Sequence, residues 1–215
     1  MSKNIKGFMG DQIGKLGPAV GRKWRGKMVY SSYQSNVRDP RTESQMLQRA
    51  RLTVLQQLGC RLLPVLRLGM KQYAAGRQWT ELNCFVSLNK DAVSGSTAEG
   101  LEVSYDALMV SKGSLAEVLF GSASFANPQE VTVAVEDGGV AGYGASADDK
   151  VYVAAYCPDK GQVMLSDGTA RRTSESVTLQ LPSSWQGMKA HVYAFVAGEH
   201  GKVSQSFYAG SGTVA

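Results

Sequence analysis

Asp39-Pro-Arg-Thr-Glu-Ser-Gln-Met-Leu-Gln-Arg-Ala-Arg-Leu-Thr-Val-Leu-Gln-Gln-Leu-Gly59 divides the chain into two unlike halves. Pro40 ends the segment before it, and Thr42 with Gln45 three residues on forms a capping box. Leu47, Ala50, Val54 and Leu58 then recur at helical spacing, and Gly59 fits a C′ stop. The opposite face carries Gln48, Arg49, Thr53 and Gln56, with Arg51 and Gln57 flanking the stripe. Beyond Gly59, Pro64 disfavours a helical Leu63 and suits a first turn, so a second short helix is expected over roughly 64–75.

Charge is segregated about this helix. Residues 1–77 hold fifteen Lys and Arg against Asp11, Asp39 and Glu43, a formal +12. Residues 78–215 hold eight basic and fifteen acidic residues, a formal −7, leaving +5 overall. Such a split points to a polyanionic partner for the front half, to the acidic back half of a neighbouring copy, or to a solvated basic face.

Upstream, Gly7, Gly10, Gly14, Gly17 and Gly21 with Pro18 read as an extended, non-helical arm. A phosphate-cradling loop is excluded, because Gly14-Lys15 is followed by Leu16 and not by a hydroxyl residue. Ala19–Trp24 and Lys27–Tyr33 flank Arg25-Gly26 and predict a β-hairpin. Its strands interleave Arg22, Lys23, Arg25 and Lys27 with Trp24, Tyr30 and Tyr33. Cations for phosphates and rings for bases are what a single-stranded nucleic-acid platform needs, and the same rings also serve as packing residues.

Residues 76–112 are less regular. Trp79–Leu88 reads as an irregular strand or helix with Asn83 and Asn89 as breakers, Lys90–Gly100 as a loop, and Tyr105–Val110 as a short strand. From Gly113 the texture changes to short strands punctuated by turns. The candidates are Leu115–Phe120, Val131–Glu136, Val151–Cys157, Val177–Leu181, His191–Ala197 and Val203–Tyr208. Turn signals fall at Asn127-Pro, Asp137-Gly-Gly, Pro158-Asp-Lys-Gly, Asp167-Gly and Glu199-His-Gly. Val131, Val133 and Val135 share a face, as do Val192, Ala194 and Val196. The expected fold is therefore mainly β with a helical segment. A basic Gly-rich arm and hairpin (1–40) leads to a helical segment (41–76), an irregular connection (77–112) and an immunoglobulin- or fibronectin-like sandwich (113–215) able to fold alone.

Several stretches together resemble a known family. Gly17-Pro-Ala-Val-Gly-Arg-Lys-Trp-Arg-Gly-Lys27 and Pro40-Arg-Thr-Glu-Ser-Gln-Met-Leu-Gln-Arg-Ala-Arg51 are similar to the front of Bacteroidota proteins grouped as domain of unknown function 6266. The likeness continues through Val110-Ser-Lys-Gly-Ser-Leu115, Ala147-Asp-Asp-Lys-Val151 and Val203-Ser-Gln-Ser-Phe-Tyr-Ala-Gly210. It implies a mixed front segment followed by an immunoglobulin-like domain, and it supplies no activity because none is established for the family.

The residues themselves carry no catalytic signature. His191 and His200 are isolated, and neither stands in a zinc-ligand spacing, so His191 is read as a packed or edge residue of a strand. Asp148-Asp149 lacks the following ladder of a calcium loop and is read as a turn cap. No Gly-x-Ser-x-Gly elbow occurs. Cys60, Cys84 and Cys157 are odd in number and form no Cys-x-x-Cys pair, which suits a reducing compartment. The N-terminus has no signal-peptide pattern and no window is apolar enough to span a membrane, so a cytoplasmic protein is expected. No cofactor and no metal is expected, and no enzymatic activity. The expected function is structural, with the basic half docking on acidic surfaces of neighbouring copies in a homo-oligomer or polymer. Nucleic-acid binding is the alternative, and an enzyme or small-ligand binder comes third. The candidate contact residues are Arg22, Lys23, Trp24, Arg25 and Lys27 on the hairpin, and Arg38 and Arg41 beyond it. Arg49, Arg51, Arg61 and Arg67 on the helical segment complete the set.

Overall fold

A computed structural model describes residues 3–4, 12–36, 39–77, 79–137 and 144–215; for residues 3, 4 and 137 it describes the backbone alone. The chain separates into two units, Met1–Thr42 and Glu43–Ala215. The fold is mainly β, with four antiparallel sheets among the described residues, none of them closed into a barrel.

The first unit is a meander of β1 (Lys3–Asn4), β2 (Gln12–Leu16), β3 (Ala19–Trp24) and β4 (Lys27–Ser32), in that spatial order. Arg25 (φ 46°) and Gly26 (φ 82°) both take positive φ, the requirement of a two-residue I′ turn whose twist matches the strands. The hairpin expected at 19–33 is thus present. The stretch read as an extended, non-helical arm is extended over its described residues, and part of it is paired. Gly17, at φ 57°, lets the chain reverse so that Leu16 pairs with Ala19, and β2 joins β3 as a third strand.

The second unit opens with α1 (Glu43–Arg61), which begins directly after Thr42. Gly59 does not stop it. A Cβ at Gly59 would collide with Leu82 Cδ1 and sit 3.0 Å from Phe85 Cδ1, so this glycine is a point of close helix approach. After a break at Leu62, α2 (Leu63–Gly69) carries Pro64 in its first turn, and α3 (Lys71–Ala75) follows. The single helix expected over 64–75 is therefore two. The next segment, left open between strand and helix, forms α4 (Glu81–Leu88). Asn83 does not break it, because the Thr80 hydroxyl accepts the Asn83 N–H at 3.2 Å and caps the first turn. Asn89 does end it, and its buried amide accepts from Met109 N at 2.7 Å while donating to the Phe85 and Met109 carbonyls. A two-residue ribbon, β5 (Val93–Ser94) with β6 (Glu102–Val103), follows.

Seven further strands form two antiparallel sheets. The first holds β7 (Leu119–Ser124), β8 (Glu130–Asp137) and β11 (Ser176–Gln180), in the order β11-β8-β7. The second holds β9 (Lys150–Cys157), β10 (Gln162–Leu165), β12 (Lys189–Ala197) and β13 (Phe207–Thr213), in the order β10-β9-β12-β13. Alternate residues of both sheets meet in one cluster, among them Val131, Val133, Val153, Val177, Val192 and Val196.

Three strand expectations shift. The strand expected at Leu115 starts at Leu119, because Leu115 and Val118 drop into the core from a loop. The strand expected at Val203 starts at Phe207; Val203 makes only a single bridge to Ala197. Tyr105–Ala107 is a 3₁₀ turn and not a strand, held by Tyr193 Oη donating to the Tyr105 carbonyl at 2.7 Å. The Asp137-Gly-Gly turn runs into residues outside those described.

A second cluster explains why β9 and β12 are buried almost throughout. Leu55, Leu58, Leu62, Leu66 and Phe85 of the helices pack on Ala154, Tyr156, Tyr193 and Phe195, the outward residues of the four-stranded sheet. With both faces covered, these strands read as apolar runs rather than alternations. Gly69 sits where this layer meets the following segment: its carbonyl accepts from Lys112 N at 3.0 Å and Ser111 Oγ at 3.2 Å. A Cβ there would stand 2.5 Å from the Val110 carbonyl oxygen, a backbone atom that cannot swing aside. Gly69→Ala is expected to lower stability by about 1–3 kcal/mol in urea titration, the usual cost of overpacking. An unchanged midpoint would show that the helix yields there freely.

Candidate functional site

The register of the meander sorts the cations and rings proposed for partner contact. Paired residues of an antiparallel sheet share a face. Lys15 pairs with Val20, Arg22 with Val29, and Trp24 with Lys27, so Lys15, Arg22, Trp24 and Lys27 all project from one face. Tyr33 joins them, its ring lying 3.8 Å beneath Lys15 Nζ. Lys23 and Tyr30 belong to the other face, where the Tyr30 ring covers Gly21. Arg25 stands at the turn between the strands.

This sheet carries little core. Among its described residues Gly21 alone is buried, while Trp24 is 60% exposed, Tyr30 54% and Tyr33 45%. A small sheet such as this needs a hydrophobic face, or packing against another element, to be stable in water.

The remaining candidates are dispersed. Arg41 pairs with Asp39 at 3.5 Å, and Arg38 lies outside the described residues. On the second unit, Arg49 and Arg67 are exposed on α1 and α2. Arg51 is half-buried and donates to the Gly95 carbonyl at 2.8 Å, so it ties α1 to a loop. Arg61 lies against Gly161 in the β9–β10 turn, its guanidinium 2.9 Å from where a Cβ would be. Lys15 escaped the sequence reading; its signal was its register opposite Val20, which spacing within one strand does not reveal.

Two polar clusters of the second unit were also hidden in the sequence. Arg172, wholly buried, donates to the Ala116 carbonyl at 2.8 Å and meets Asp149 Oδ2 at 3.2 Å. Asp149 Oδ2 also accepts from Ser146 N at 2.9 Å. Asp149 thus serves its local turn, as read, and in addition neutralises a buried guanidinium 23 residues away. The second cluster surrounds His191, which is buried as expected. Its ring stacks on Tyr105 with centroids 4.3 Å apart, and Nδ1 lies 2.9 Å from Tyr208 Oη.

Burial, with the Lys189 ammonium second, lowers the His191 pKa from 6.5 to about 4; Asp106 pulls weakly the other way. The folded state therefore refuses a proton that the unfolded chain accepts. Its contribution to stability is complete above pH 6.5, is lost as pH falls toward 4, and changes no further below that. His191→Gln is expected to remove this component, so that wild type and variant converge in urea midpoint between pH 7 and pH 4. Parallel curves for the two would refute it.

A mainly β chain with a helical layer on one sheet and a basic, aromatic-bearing meander at its front is the class that these observations define. The chain belongs to a family of unknown function, the domain of unknown function 6266 family, whose model matches residues 10–210. No curated protein and no solved structure matches it. No helix is long and apolar enough to cross a membrane, and no group of three His, Cys, Asp or Glu side chains is placed to hold a metal ion, both among the described residues.

Proposed function

We propose that this is a non-enzymatic structural protein of the cytoplasm whose basic N-terminal half docks on acidic surfaces of neighbouring copies. One observation carries the reading: the first unit is a strand-paired meander whose described residues supply almost no core. A sheet of this kind gains its stability from a partner surface. Residues 1–42 hold nine Lys and Arg against two Asp, which suits an acidic partner, and residues 78–215 are acidic.

The strand orders β11-β8-β7 and β10-β9-β12-β13 support an immunoglobulin- or fibronectin-like assignment for the two sheets. The Bacteroidota origin implied by the sequence resemblance belongs to the same proposal.

Nucleic-acid binding is the second reading. It is favoured by Arg22, Lys27 and Lys15 sharing a face with Trp24 and Tyr33, the pairing of cations and rings that a single strand uses. Size-exclusion chromatography with light scattering at low and high salt, with and without nuclease, separates the two. Self-assembly predicts a nuclease-resistant oligomer that dissociates as salt screens the contact. Nucleic-acid binding predicts loss of the large species on nuclease treatment. A monomer under every condition would sink the assembly reading.

A further inference from the structure

The two faces of the second unit's sheets are treated unlike. The outer face of the four-stranded sheet is covered by helices, but that of the three-stranded sheet is exposed. Along β8 the valines point inward, so Glu130, Thr132, Ala134 and Glu136 point outward. Ser176 pairs with Ala134 and Thr178 with Thr132, which extends the outward face onto β11. The result is a floor of small, mostly hydroxyl side chains with a carboxylate near each end. Glu130 and Glu136 are six residues apart, about 20 Å at the rise of an extended strand. Glu130 takes one weak hydrogen bond from Asn127, at 3.4 Å, and Glu136 lies over Gly121. Strands β7, β8 and β11 contain no Lys or Arg, and exposed Glu175 precedes β11.

The meander offers the converse. Its Lys15, Arg22 and Lys27 face carries cations spread over about 13 Å, four residues of strand. Trp24 stands beside Lys27 and Tyr33 beside Lys15, large rings that suit a floor of Thr, Ala and Ser. Sheets stacked face to face lie about 10 Å apart, a gap that large side chains on one face and small ones on the other fill.

Resting on the assembly reading above, we infer that the uncovered face of the β7–β8–β11 sheet receives the Lys15–Arg22–Trp24–Lys27 face of the meander from a second copy. The contact is charge-assisted and joins two different faces. Repeated head to tail it builds rings or open polymers, and exchanged reciprocally it closes a two-fold dimer.

Charge exchange in the 215-residue chain tests this. Two variants are prepared, Glu130→Lys with Glu136→Lys, and Arg22→Glu with Lys27→Glu. Each is expected to raise the dissociation constant for assembly at least tenfold at low salt, read by light scattering over a concentration series. Mixing the two is expected to restore association, through the intact meander of the first on the intact sheet of the second and through the two reversed faces together. Glu130→Gln with Glu136→Gln provides a milder weakening without a new charge, and unchanged melting of each variant shows that folding is intact. If the meander variant dissociates the oligomer while both sheet variants leave it whole, this face is the wrong one and the assembly reading stands. If the wild type is monomeric at all concentrations, or its large species vanishes with nuclease, both fall together.

Discussion

Asp149→Ala is expected to cost about 3–5 kcal/mol, read as a lower urea midpoint with an unchanged slope. Arg172 is 0% exposed and Asp149 3% exposed, so neither charge has water to fall back on. The pair joins three segments: Arg172 N donates to the Asp149 carbonyl at 2.8 Å, the guanidinium reaches the Ala116 carbonyl, and the Asp149 carboxylate holds Ser146 N. Removing the carboxylate takes a charged acceptor away from a buried guanidinium. Desolvation of that charge is then less well compensated, and this, rather than loss of the attraction itself, is the larger part of the cost. The double variant Asp149→Val with Arg172→Met is therefore expected to be more stable than Asp149→Ala alone, the signature of coupling in a double-mutant cycle. Additive losses would show that the two side chains act independently.

Residues 113–215 produced without the helices are expected to bind a hydrophobic dye and to associate, whereas residues 43–215 are expected to unfold in one cooperative step. Strand alternation alone marks 113–215 as a self-sufficient sandwich. The outward residues of its four-stranded sheet say otherwise: Tyr156 and Tyr193 are 1% exposed and Phe195 0% exposed beneath the helical layer. Burying three such rings contributes roughly 5–9 kcal/mol at about 1.5–3 kcal/mol each. That is comparable with the whole stability of a typical domain, about 5–15 kcal/mol. Sedimentation and thermal melting of both fragments check this. A monomeric 113–215 that melts like the longer fragment would show that the helices are dispensable.

Local periodicity and turn chemistry were legible without tertiary context, because they depend on neighbours in the chain. The hairpin at Arg25-Gly26, the start of α1 after Thr42, the break near Pro64 and the valine alternation of β8 are all of this kind. The charge segregation was equally plain, being a property of composition.

What lies across sheets and between layers was not legible. Gly59 has the local look of a helix stop, and only the approach of Leu82 and Phe85 makes it an interior contact. Tyr105 has the look of a strand residue, yet its stacking on His191 and the Tyr193 hydroxyl bond draw it into a turn. Arg172 counts in sequence as one more surface cation, and a carboxylate 23 residues distant makes it a buried one. The sharing of one face by Lys15, Arg22, Trp24 and Lys27 follows from pairing register, which is set by the turns at Gly17 and Gly26 acting together. By itself, then, the sequence determined the hairpin, the start of α1, the alternating valine strands and the charge of each half. Which faces are covered, which ions are buried and which cations stand together was decided by tertiary packing, because burial and register are set by contacts between segments far apart in the chain.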